Sequence, residues 1–257
     1  MLDEILAATR VRVRALDLAE QRHLAVDQAP RLAARSLEAA LTKPGINVIA
    51  EVKRRSPSRG ELAPDLDPAS QAAAYETGGA AAISVLTEPE FFSGSLDDLT
   101  AVARSVGIPV LRKDFIIDLA QVWESKRAGA DALLLIAAAL DDELLANLLQ
   151  EAHGAGLEAL VEVHTAPEAD RAMSAGARII GVNNRDLATF TVDLATSESL
   201  AARVAAAPAR VAESGIHRGA DAARMGAAGY TAVLVGEALV RAHDPAALVA
   251  ELRGVSR

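Results

Sequence analysis

Lysine is scarce in this chain, found only at positions 43, 53, 113 and 126, so the places where it is kept carry information. Two of the four, Lys53 and Lys113, end short apolar runs, INVIAEVK from Ile46 and IPVLRK from Ile108. Acids end other runs of the same kind. Glu51 precedes Lys53 by two residues, Glu162 closes LEALVE and Glu213 closes ARVAE, while Asn183 and Arg185 follow IIGV. Cations, carboxylates and an amide brought together in this way suit general acid–base work on an anionic substrate. One such charge is ordinary where a strand meets solvent; the whole set is not, because converging charges without partners cost far more than surface charges. A lysine held near other cations or in a dry site is expected to become a working acid or base near neutral pH.

Two further patterns accompany these residues. Ser214-Gly215 and Gly236-Glu237 place small residues after the last two runs, where backbone N–H groups can approach an anion and Glu237 opens a helix. The four Phe, at 91, 92, 115 and 190, all follow such runs although aromatics make up only 3% of the chain. All four are therefore expected beside the same site, enclosing an apolar or aromatic part of a substrate. Residues 54–67 carry Pro57, Gly60 and Pro64 and form a connection long enough to serve as a lid.

The elements that must position these groups repeat. A Gly-led turn feeds an apolar run at Gly78, Gly129, Gly176 and Gly229, and four more runs start at Ile46, Ile108, Leu157 and Ala209. Their ends are expected near Lys53, Thr87, Lys113, Ala137, Glu162, Asn183, Glu213 and Val235, at the spacing of βα units. Helical periodicity fills the gaps, as in Leu96, Leu99, Val102 and Ala103, in Leu144, Leu145, Leu148 and Leu149, and in Ala222, Ala223 and Met225. Runs that are apolar on both faces point to a parallel sheet covered by helices. Eight such units predict an α/β fold, a (β/α)₈ TIM barrel over residues 1–257, with an open doubly wound sheet as the alternative. In a barrel the strand ends listed above converge on one mouth, where active sites of this fold lie.

Residues 1–45 are expected to form a helical extension, with Leu2, Ile5, Leu6, Val13 and Leu16 on one stripe and Leu32, Leu37 and Leu41 on another. Covering one end of the barrel is the role favoured for it over contact with substrate.

Composition excludes several classes. The chain has 257 residues, 51% of them hydrophobic and 24% charged, which argues against disorder. Its net charge of −9 has the wrong sign for general nucleic-acid binding. The longest apolar run, Ala132 to Leu140, is far shorter than the roughly 20 residues of a membrane span. There are no cysteines, the five His show no ligand spacing, and Ser56, Ser58 and Ser214 lack a G-x-S-x-G context. Neither a metal nor an organic cofactor is expected. The protein is expected to be a cytoplasmic monomer, free of nucleic-acid and membrane partners.

Eight segments, in chain order, carry a resemblance: IAEVKRRSPSRG (49–60), ISVLTEPEFFSGS (83–95), PVLRKDFIID (109–118), GADALLLIAA (129–138), LVEVHT (160–165), IIGVNNRDLATFTVD (179–193), AESGI (212–216) and VGEALVRA (235–242). They resemble the indole-3-glycerol phosphate synthase family, carboxy-lyases of the tryptophan pathway that close the indole ring. The resemblance implies a phosphorylated aromatic substrate, 1-(2-carboxyphenylamino)-1-deoxyribulose 5-phosphate, which loses carbon dioxide and water. It implies Lys113 as the general acid in ring closure, Lys53 as partner of the substrate carboxylate sharing acid duties, and Glu162 as the base in dehydration. Glu51 and Asn183 would orient Lys53 and the substrate hydroxyls. Ser56, Phe92, Phe115, Arg185, Glu213 and Ser214 would line the site, with Ser214-Gly215 and Gly236-Glu237 on the phosphate. Two other readings are a different phosphate-binding barrel enzyme, such as phosphoribosylanthranilate isomerase or a tryptophan synthase α-type lyase, and a non-catalytic scaffold. The lysine pair and the absence of cysteine weigh against the isomerase, which would use an Asp/Cys pair.

Overall fold

The computed structural model describes residues 1–28, 35–57, 59–186 and 189–254, so Leu32 and Ser58 lie outside the described residues. Eight parallel strands, β1 (Asn47–Val52), β2 (Ala82–Leu86), β3 (Val110–Lys113), β4 (Ala132–Ile136), β5 (Glu158–Val163), β6 (Ile179–Asn183), β7 (Ala209–Glu213) and β8 (Ala232–Val235), pair in chain order. Strand β8 pairs back onto β1, with Asn47 opposite Ala232 and Ala50 opposite Val235. The sheet is a closed (β/α)₈ barrel, not an open doubly wound sheet. Every strand ends within one residue of the expected position.

Period-two alternation sorts each strand into two cores. Ile49, Leu111, Leu134, Leu160, Ile179, Val211 and Leu234 fill the barrel interior, with the smaller Ala82, Ala132, Ala209 and Ala232 between them. Their neighbours, among them Val48, Val85, Val110, Leu133, Val161, Ile180 and Val233, face outward beneath the helices. The repeated Gly-led turn has a local cause. Gly79, Gly129, Gly176 and Gly229 all take φ between +83° and +98°, the left-handed conformation that ends a helix and redirects the chain into the next strand. Helix starts are fixed just as locally, by Asp67, Ser95, Asp118, Asp141, Thr165 and Asp244, whose side chains accept first-turn N–H groups. Each such cap contributes about 1 kcal/mol.

The N-terminal extension serves both ends of the barrel. Helix α3 (Leu37–Leu41) buries Leu37 and Leu41 completely against the interior core and closes the N-terminal end. Helix α1 (Leu2–Val13) lies at the opposite end, where Met1, Leu2 and Ile5 line the cavity of the mouth. The expected cover is supplied by α3, and α1 in addition lines the cavity at the other end. Helix α2 (Leu18–Gln28) packs along the helix Leu119–Ala128, with the Arg22 guanidinium 5.7 Å from the Trp123 ring centroid and both residues bonded to Glu151. The stripe on α1 is shorter than expected: Ile5 and Leu6 are buried, whereas Val13 and Leu16 are half-buried.

Candidate active site

The inward positions at the C-terminal strand ends are polar where those below are aliphatic. Glu51 and Lys53 rise from β1, Lys113 from β3, Glu162 from β5, Asn183 from β6 and Glu213 from β7, around a cavity of about 550 Å³. Lys53 Nζ lies 2.6 Å from Glu51 Oε1, and Lys113 Nζ lies 3.2 Å from Glu162 Oε2 and 3.6 Å from Glu213 Oε2. Asn183 Nδ2 donates to Glu162 Oε1 at 3.2 Å, which fixes the carboxyl plane. All three carboxyls are almost wholly buried.

Burial without enough cations divides these groups. It would lower Lys113, but Glu162, Glu213 and Glu51 outweigh it and hold the ammonium well above its ordinary range. The expectation of a lysine shifted toward neutrality is thereby corrected, since acids rather than cations surround it. Burial also raises both Glu162 and Glu213. At Glu162 the charges of Lys113 and His164 and the Asn183 amide prevail, holding the carboxyl at about 2. At Glu213 burial and the charge of Glu162 prevail over Lys113, raising it to about 8.

The turns after β7 and β8 lie on the same cavity. Ser214 and Gly215 take φ of +64° and +81°, and a Cβ on Gly215 would stand 2.6 Å from Val192 Cγ1. At Gly236 a Cβ would stand 2.2 Å from Glu51 Oε1 and 3.1 Å from Lys53 Nζ, so only glycine leaves room for that ion pair. Glu237 begins the short helix Glu237–Arg241 and forms an ion pair with Arg59, Oε1 to Nε 3.3 Å, tying the β8 turn to the connection after β1. That connection is a small hairpin, Arg55–Ser56 with Gly60–Glu61, pinned by the Arg54–Asp98 ion pair; Ser56 lines the cavity.

Phe92 and Phe115 meet with centroids 6.3 Å apart at 37°, and Phe190 joins them on the cavity wall. Phe91 is not among the lining residues, a correction to the expectation for all four: its N–H helps cap the turn Pro89–Phe92 on Glu88. Arg185 also lines the cavity, its N–H on Asn183 Oδ1 at 3.0 Å.

Arg112 does not face the mouth beside Lys113. Period two turns it outward, where, 1% exposed, it bonds Asp114, Glu124, Ser125 and the Gln121 carbonyl under the helix Leu119–Ala128, while Asp114 touches the cavity edge with its carboxyl taken up by Arg12, Arg112 and Thr87. Asn184 is likewise structural, clamping the Glu213 and Ser214 carbonyls and Ser197. Sequence reasoning misses Gly181, whose missing side chain makes room for Glu213, and Arg59; it ranks a cavity face for the N-terminal extension second and gives no role to His164, whose ring touches Glu162. Among the described residues no group of three or more His, Cys, Asp or Glu could hold a metal ion.

Comparison with known proteins bears on the same residues. Residues 2–252 match the family described as indole-3-glycerol phosphate synthase. The indole-3-glycerol phosphate synthase of Mycolicibacterium smegmatis is 51% identical over 256 residues, covering 98% of this chain and 93% of the relative. The chain belongs to the indole-3-glycerol phosphate synthase family. Other members are as similar, at 50% identity in Mycobacterium tuberculosis (98% and 93% covered) and 49% in Kineococcus radiotolerans (98% and 94% covered). Solved structures share the fold alone: a 3-hexulose-6-phosphate synthase at TM-score 0.65 and 19% identity, covering 82% of this chain and all of the other. The thiamine phosphate pyrophosphorylase of Pyrococcus furiosus reaches 0.63 at 17% identity, covering 86% and 97%. Membership in this family sets aside the isomerase, lyase and scaffold alternatives.

Proposed function

We propose that the cavity closes the indole ring of indole-3-glycerol phosphate, with Lys113 as general acid and Glu162 as general base. The substrate brings a carboxyphenyl ring, a ketose and a phosphate. Phe92, Phe115 and Phe190 suit the ring, and the Ser214-Gly215 and Gly236-Glu237 turns, with Ser56 nearby, suit the phosphate. As the aromatic carbon attacks the ketone carbon, a carbon–carbon bond forms and the carbonyl oxygen takes a proton from Lys113 Nζ. Positive charge then rests on the anilino nitrogen, and loss of carbon dioxide returns the electrons. Lys53 holds the departing carboxylate and assists the hydroxyl in leaving as water, while Glu162 removes the ring proton whose loss restores aromaticity. A substrate seated between Lys113 and Glu162 separates that 3.2 Å pair and removes the strongest charge retaining the lysine proton. Glu51, Asn183, Arg185 and Glu213 orient these groups and the substrate hydroxyls.

One observation carries the reading: a buried acid–base pair from β3 and β5 opens onto the same cavity as two small-residue turns and an aromatic wall. The direct test is the fluorescence of indole-3-glycerol phosphate on mixing enzyme with authentic substrate. No product at micromolar enzyme would overturn it.

A cytoplasmic monomer without nucleic-acid or membrane partners is part of the same proposal. Among the described residues no helix is long and apolar enough to cross a membrane. The large hydrophobic side chains left exposed among the described residues are Met1, Val11 and Val26, too few for an obligate interface. Light scattering should give the mass of one chain.

A further inference from the structure

The acid–base scheme leaves a titratable group beside the base without a task. His164 follows β5 by one residue, and its ring bridges two carboxylates. Nε2 lies 3.4 Å from Glu162 Oε1 and Nδ1 lies 3.3 Å from Glu168 Oε2. Glu168, on the helix Ala166–Ser174, is held in place by the His164 backbone N–H at 2.8 Å and the Thr165 hydroxyl at 3.0 Å. Exposure of the side chains rises along this line, from 3% at Glu162 through 11% at His164 to 16% at Glu168. Nε2 itself is buried and makes no hydrogen bond among the described residues, although the Glu162 carboxylate is its neighbour.

We propose that His164, seated on Glu168, is the positioning residue that keeps Glu162 ionised and passes its proton outward after each turnover. The inference rests on Glu162 being the general base. The charged groups around the ring are Glu162 on its own strand, Glu168 on the following helix and Glu213 across the mouth, with Lys113 beyond Glu162. Burial opposes the imidazolium, yet the bond to Glu168 and the charges of Glu162, Glu168 and Glu213 raise the ring above its ordinary value. While Glu162 is ionised it therefore helps to keep the ring cationic. Once Glu162 has taken a proton from the substrate, that hold disappears. The ring can then give its Nε2 proton to water that enters as product leaves, keeping Nδ1–H on Glu168, and the Nε2 lone pair so formed accepts the proton of Glu162: one N–H bond breaks and is remade, one O–H bond breaks, and the carboxylate is regenerated beside a cationic ring. A histidine serves here because its ordinary acidity lies near the working pH.

The test compares His164→Gln and His164→Ala with the wild-type enzyme. Glutamine keeps a donor for Glu168 but cannot carry the proton. It should lower kcat about tenfold with KM within about twofold, and move the acidic limb of kcat/KM upward by about half a pH unit or more, since Glu162 loses a cationic neighbour. In His164→Ala, added imidazole should restore part of kcat saturably. Should the histidine variants fail to fold, Glu168→Gln serves instead, with an upward shift of the same limb expected. An unchanged pH profile and kcat in His164→Gln, absence of imidazole rescue in His164→Ala, or an unshifted limb in Glu168→Gln would overturn the relay. Glu162→Gln separates the two readings: inactivity there beside a wild-type-like His164→Gln sinks only the relay, whereas full turnover there sinks the assignment of the base.

Discussion

The carboxyl of Glu213 occupies the space a side chain at position 181 would need: a Cβ on Gly181 would stand 2.1 Å from Glu213 Oε1 and 3.2 Å from its Cδ. Strand β6 thus supplies an absence that β7 fills, and Glu213 stays within 3.6 Å of Lys113. Gly181→Ala must push that carboxyl away. We expect kcat at least about tenfold lower and a stability loss of about 1–3 kcal/mol, the usual range for overpacking. Steady-state kinetics beside thermal melts would check this, and unchanged turnover would show that the position of Glu213 is not critical.

Glu213 also predicts a pH dependence of stability. Its value in the fold, about 8, lies above the ordinary 4.5, so the fold favours the protonated acid. That contribution is complete below pH 4.5 and is lost as pH rises toward 8, at up to about 1.4 kcal/mol per unit. Glu213→Gln should remove it. The melting temperature of the variant relative to the wild type should therefore increase steadily from pH 5 to 8; a constant difference would refute the raised acidity constant.

Lys113→Ala and Glu162→Gln should each lower kcat by at least about a hundredfold while the far-ultraviolet spectrum stays native. Glu162 has the opposite linkage to Glu213. Held at about 2, it contributes stability above pH 4.5 that is lost as the pH falls toward 2. Glu162→Gln should accordingly melt lower than the wild type at pH 7, with the gap closing in acid. Turnover near the wild-type rate in either variant would remove that residue from its assigned role.

Arg12 and Arg112 share Asp114, so losing Arg12 and losing Asp114 should have different consequences. Asp114 accepts Arg12 at 2.7 Å, Arg112 at 2.9 Å, the Thr87 hydroxyl at 2.7 Å and the Phe115 N–H at 2.8 Å. Arg12 is 31% exposed and leaves Asp114 its other partners, so Arg12→Ala should cost about 1 kcal/mol or less. It should raise KM several-fold, because α1 brings Met1, Leu2 and Ile5 to the cavity. Asp114→Ala strips a fully buried arginine of one of its two carboxylate partners and should cost about 3–5 kcal/mol. Equal stability losses from the two changes would contradict this division.

The barrel was legible because strand, turn and cap signals are local. Aliphatic runs such as ALLLI (132–136) end where polar residues begin, and the Gly-led turns stand where left-handed backbone is required. The mouth was legible only one face at a time. Arg112, Lys113 and Asp114 are adjacent in the chain, yet Arg112 turns away from the cavity and the Asp114 carboxyl, at the cavity edge, is bound to Arg12 and Arg112, so only Lys113 joins the acids of the mouth. The direction of the Lys113 shift depends on how many acids gather in space, which spacing along the chain does not reveal. Gly181 carries no sequence signal, since its role is set by a carboxyl on another strand. The stripe of Leu37 and Leu41 predicts a helix but not which end of the barrel receives it.

Helix α3 stands against β1, β2 and β7 at once, and α2 lies against the helix that follows β3. During synthesis the extension leaves the ribosome well before β7 exists, so the seat of α3 is incomplete when that helix emerges. The floor of the barrel can be fitted completely only after β7 is made, so a helix that precedes every strand completes its packing late. Until β7 arrives, Leu37 and Leu41 lack part of the apolar surface that covers them, the kind of exposed patch that nascent-chain chaperones shield.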